Sequence, residues 1–165
     1  MELDFRALQV IAEVALGIVG FSAILIALSR SEDGFTEPDN FRIQLLIFSA
    51  FGAMFCALLP FAIFNTDNPS MSWSIISTVL CIYSVIGLLI FPRRVIGLRK
   101  KGYQDLFPIG IVAIQQGILA INFILSGMMV VDVLSQKNNI YLFCLILFLV
   151  QSTIAFIRTM FFRVK

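Results

Sequence analysis

The sequence contains no histidine. That single absence removes ordinary His-ligated haem, His-based zinc sites and the commonest general base of enzymes. Charge is also scarce. Asp, Glu, Lys and Arg make up 13% of the chain, against about 25% in soluble globular domains, which excludes that class. Every lysine falls in an expected loop or at the C-terminus, so a serine inside an apolar run has neither His nor Lys to activate it. No two carboxylates stand at helical spacing within such a run, and G-x-x-x-x-G-K-[ST], G-x-G-x-x-G and C-x-x-C are all missing. The chain is therefore not expected to be an enzyme, and no cofactor or metal is expected. Cys56, Cys81 and Cys144 all fall in apolar runs, where they read as small packing residues rather than a disulfide framework. The start, MELDFRALQ, sets Arg6 against Glu2 and Asp4 and leads to no A-x-A site, so it reads as the approach to a helix rather than as a secretory signal. No internal repeat of the kind that relates the halves of many transporters is visible.

What is abundant is apolar. Hydrophobic residues make up 59% of the chain, with 17 Phe. They fall into runs of roughly 20 or more residues, the length needed to cross a hydrocarbon core about 30 Å thick, at about 6–29, 42–64, 71–91, 107–134 and 139–162. The stretches between them, SRSEDGFTEPDN, NTDNPS, PRRVIGLRKKGYQ and SQKNN, have loop chemistry. The expected fold is all-α, a compact bundle of five transmembrane helices forming one domain over residues 1–165. With five spans, ten of the 12 Lys and Arg collect on one side, and only Arg6 and Lys137 remain on the other. Basic residues are retained on the cytoplasmic face, so the N-terminus is expected outside, the C-terminus in the cytoplasm and the protein in a bacterial inner membrane.

The interior of each run carries further signals. Glu13 is a carboxylate in the first run, where a charge costs about 2.5 to 3.5 kcal/mol at a helix centre. At 100° per residue it shares a stripe with Gly17, Gly20 and Ala27, so it is expected to face a neighbouring helix. In the second run Ser49, Gly52, Ala53, Cys56 and Pro60 form a small face, and Phe41, Phe48 and Phe55 form another that faces lipid or a neighbour. In the third, Ser70, Ser74, Ser77, Thr78, Cys81 and Ser84 form a mostly hydroxyl stripe, read first as glue between helices and second as a wet path. The fourth run is the richest in amides. Gln115, Asn122 and Ser126 lie on one face, and Ala113, Gln116, Ala120 and Gly127 on another, which marks a central or pore-lining helix. Asp132 stands near its outer end, and Gln151 and Arg158 share one face of the fifth run, with Arg158 expected to snorkel to headgroups.

Arg93, Arg94, Arg99, Lys100 and Lys101 crowd one connector. Their plain role is to fix topology and meet anionic headgroups. Their sharper role is to bind a phosphate-bearing cytoplasmic ligand or a partner protein, and nucleic acid ranks below both. These features support a homo-oligomeric pore or ion channel in which Glu13, Gln115, Asn122, Ser126 and Asp132 mark a polar pathway, gated through the basic connector. Gly17, Gly20, Ser49, Gly52, Cys56, Ser74 and Thr78 are the expected helix-packing positions. A non-conducting subunit that binds a partner protein or lipid is the alternative, and a small proton-coupled transporter is third.

Overall fold

The computed structural model describes residues 4–28, 36–65 and 67–161. Glu2, Arg30, Arg163, Lys165 and most of the first connector therefore lie outside the described residues. The described chain is all-helical, with α1 Phe5–Leu28, α2 Glu37–Ile63, α3 Pro69–Lys100, α4 Ile109–Val130 and α5 Lys137–Phe161. All five are long and apolar enough to cross a membrane, and they suggest an integral membrane protein.

Local chemistry sets the helix starts. Thr36 Oγ1 accepts from the Asp39 N–H and donates to the Asp39 carboxylate at 2.7 Å, with Pro38 in the first turn of α2. Asn68 Oδ1 accepts from the Met71 N–H at the start of α3, again followed by proline. These caps explain one difference from the sequence reading, because α2 begins five residues before the apolar run, at Glu37.

A larger difference is α3. The basic stretch Pro92–Lys100 is helix rather than loop, and Pro92 lies inside it. Arg and Lys are good helix formers, so solvated charge does not end a helix that is already nucleated. At about 1.5 Å per residue α3 is roughly 48 Å long, well beyond a 30 Å hydrocarbon layer. Helix α4 is shorter than its apolar run. It starts after Pro108 and stops before Asp132, which turns the chain at φ 59°.

Helices α2, α3, α4 and α5 each touch the next, and α5 closes back on α2 to complete a four-helix ring. Helix α1 packs outside that ring against α2 and α5. Close approach is explicit at two glycines. A Cβ on Gly52 would collide with the Tyr83 ring, and one on Gly87 would meet Phe48 and Leu119 at 3.0 to 3.1 Å. Tyr83 stacks on Phe48 at 4.3 Å and donates to the Phe48 carbonyl, and Tyr141 donates to the Cys56 carbonyl at 2.5 Å. The Phe stripe of α2 thus divides, with Phe41 buried, Phe48 stacked and Phe55 exposed. Chain direction alternates, so one end of the bundle gathers Glu37, Arg42, the 93–101 segment and Arg158, and is called the basic end below. The opposite end holds Asp4, Asp67, Asp132 and Lys137.

Candidate functional site

The bundle buries polar groups that the described chain does not satisfy. Ser49 on α2, Ser77 on α3, Asn122 on α4 and Gln151 on α5 are each fully buried. Among the described residues, neither hydroxyl makes a hydrogen bond, and nor does any amide oxygen or nitrogen of Asn122 and Gln151. Gln116 Oε1 is in the same state. A buried polar group left unpaired costs about 1–3 kcal/mol, so this set opposes folding by several kcal/mol unless something polar meets it. Counted at about 1.5 Å per residue from the helix ends at the basic end, Ser49, Gln151 and Asn122 lie about 18, 15 and 20 Å along their helices, so each falls in the middle layer of the bundle by helix position.

The fourth-helix face expected from sequence lies inside the chain. Gln115, Asn122 and Ser126 are all buried, and Ser126 Oγ donates back to the Asn122 carbonyl at 2.6 Å. Neither acid joins them. Asp132 is in the exposed turn after α4, paired with Lys137 at 2.5 Å. Glu13 does not face the other helices as expected. It is on the exposed outer face of α1 and accepts from Gln9 Nε2 at 2.8 Å. Gly17 and Gly20 share that exposure, and a Cβ on either would meet nothing within 4 Å. Helix α1 instead buries Leu8, Ile11, Ala12 and Ala15. That face combines small alanines with large aliphatics and gives more van der Waals contact with α2 and α5 than a glycine stripe can. On α3, Ser77 and Ser84 are buried, whereas Ser74 and Thr78 are exposed and bonded to each other through Thr78 Oγ1 and the Ser74 carbonyl. Ser49, Gly52 and Cys56 on α2 are all buried.

The basic end contains a cluster the sequence reading missed. Arg42 and Arg158 are only 2% and 7% exposed, and their guanidinium carbons lie 5.6 and 5.5 Å from the centroid of the Phe107 ring. Arg42 donates to Asp39 Oδ1 and to the Arg158 and Leu106 carbonyls at 3.4–3.5 Å. Arg158 also donates to the Leu106 carbonyl, and Arg99 to that of Phe107. The three arginines pin the 101–108 turn to the ends of α2, α3 and α5. Arg158 therefore points inward rather than snorkelling to a surface. A usable signal was present, because Tyr141, Cys144, Phe148, Gln151 and Arg158 recur on one stripe of α5 and all of them are buried. Of the basic segment, Arg93, Arg94, Lys100 and Lys101 are exposed, and Lys101 pairs with Glu37 at 2.7 Å.

Among the described residues no cluster of three or more His, Cys, Asp or Glu comes together that could hold a metal ion. Comparison with protein-family models, with curated proteins and with solved structures finds no match for this chain.

Proposed function

We propose that this chain is a non-enzymatic integral membrane protein of the pore class, whose polar pathway runs through the interior of its own four-helix ring. The observation that carries the reading is the buried, unpartnered layer of Ser49, Asn122 and Gln151, with Ser77 nearer the opposite end. Four helices that each contribute an unsatisfied hydroxyl or amide describe a surface built to meet water or a polar solute. In this reading the N-terminus is outside and the basic end lies in the cytoplasm of a bacterial cell, beneath the inner membrane. Chains associate through the outer face of α1, where Glu13 gains from a polar partner across an interface what lipid cannot give it.

Thiol access tests this directly. In a chain with Cys56, Cys81 and Cys144 replaced by alanine, Asn122→Cys and Gln151→Cys are expected to react with a charged, water-borne thiol reagent. Phe55→Cys and Ile124→Cys, on exposed apolar faces, are expected to stay protected by lipid. Protection of both interior positions in a folded protein would refute the pathway.

A second reading is favoured by one specific observation. The exposed stripe of Glu13, Gly17 and Gly20 also suits a partner protein, which would make the chain a non-conducting subunit. A membrane extract in which the chain runs as a fixed complex with another protein, and shows no flux of its own, would support it.

A further inference from the structure

Two helix ends meet at the basic end with matched faces. Helix α2 opens with Glu37, Asn40 and Gln44 on one stripe, at i, i+3 and i+7. Helix α3 closes with Arg94, Gly97 and Lys101, its cap residue, at the same spacing. The helices run antiparallel, so the two stripes face each other across a groove of about 370 Å³. Phe41 and Leu98, both buried, also line it and supply apolar surface. A groove of this volume is the size of a small-ligand site.

Its chemistry is that of an anion site with one built-in competitor. Arg94 forms no ion pair among the described residues. Lys101 reaches both oxygens of Glu37 at 2.7 Å, and both partners remain more than half exposed. The charged lining therefore sums to one net positive charge, from Arg94 and Lys101 against Glu37. Asn40 and Gln44 add amide donors, and the positive end of the 27-residue α2 adds its dipole. Gly97 has open space where a side chain would be, so packing does not require glycine there, and its effect is to keep the groove wall low.

We propose that this groove binds a phosphate-bearing ligand, with the phosphate held by the Arg94 fork and the Lys101 ammonium and the attached group read by Asn40 and Gln44. Arg offers a planar fork to phosphate and Lys a point charge. Glu37 sets the affinity by competing for Lys101. The five basic residues of the sequence are thus not equivalent, since only Arg94 and Lys101 line the groove. The site does not depend on whether the chain conducts. The same chemistry is offered by an anionic phospholipid headgroup and by a soluble nucleotide.

Equilibrium binding to the purified full-length chain in a neutral detergent, with phosphatidylglycerol and adenosine monophosphate as separate probes, tests the proposal. At least one probe is expected to saturate. Its Kd is expected to weaken about tenfold in Arg94→Gln, as the loss of a charged hydrogen-bonding group implies. It should tighten several-fold in Glu37→Gln and stay within twofold in Arg93→Gln. These residues are exposed, so the variants keep the fold. Saturation by the lipid alone assigns a headgroup, and saturation by the nucleotide alone assigns a soluble ligand. No saturation by either probe would overturn the proposal, as would equal weakening by Arg94→Gln and Arg93→Gln, which is the signature of diffuse charge.

Discussion

The middle of the helical ring and its basic end treat buried polarity in opposite ways. At the end, the terminal nitrogens of two buried guanidiniums donate to Asp39 and to backbone carbonyls, and both groups lie against the face of Phe107. In the middle, Asn122 and Gln151 are as deeply buried and no amide atom of either is bonded to the described chain. Satisfied polar groups rigidify a fold, and unsatisfied ones weaken it. The end therefore explains itself as structure, and the middle does not. This difference is what supports the proposal that the uncharged layer, rather than the buried arginines, forms the polar pathway.

The largest loss of stability is expected at the basic end. Arg42→Ala leaves Asp39 buried without its ion pair and removes one of the three arginines that hold the 101–108 turn, and is expected to cost about 3–5 kcal/mol. Thermal unfolding in detergent checks this, and a loss below about 1 kcal/mol would show that the cluster does not hold the end together. Gly52→Val tests ordinary packing just beyond the middle layer, about one turn further from the basic end than Ser49. Even its Cβ would collide with Tyr83, and a loss of about 1–3 kcal/mol is expected from the same measurement. In the middle the sign reverses. Asn122→Leu removes two unpaired polar atoms at similar volume, so stability is expected to hold or to rise by about 1 kcal/mol while transport is lost. A strongly destabilised Asn122→Leu chain would mean that Asn122 has a structural partner. The smallest effect is expected at Glu13→Gln, which changes the stability of the chain by less than about 0.5 kcal/mol but shifts its oligomeric mass in detergent.

Much of this architecture was legible in the sequence. Five apolar runs became five helices because a run of that length and composition has one low-energy answer in lipid, the helix. The amide face of α4 was legible for the same reason, since Gln115, Asn122 and Ser126 keep helical spacing and all are buried. Glu13 was placed against the wrong surface, and lies outside its own bundle rather than within it, because small residues mark close packing without saying against what. Helix α1 buried Leu8, Ile11, Ala12 and Ala15 and left the glycine stripe outside. The arginine cluster was illegible as a cluster, because Arg42, Leu106 and Arg158 are far apart in the chain and meet only after the ring closes. Sequence distance also hid the groove, whose walls come from the start of one helix and the end of the next.

The most direct test of an in-chain pathway is ion flux into liposomes, comparing the wild-type chain, the Asn122→Leu/Gln151→Leu double variant and Glu13→Gln at matched reconstitution. Wild-type flux is expected to fall at least tenfold in the folded double variant and to survive in Glu13→Gln. Undiminished flux in the double variant, flux that disappears with Glu13 alone, or a folded wild-type chain that never conducts would contradict it.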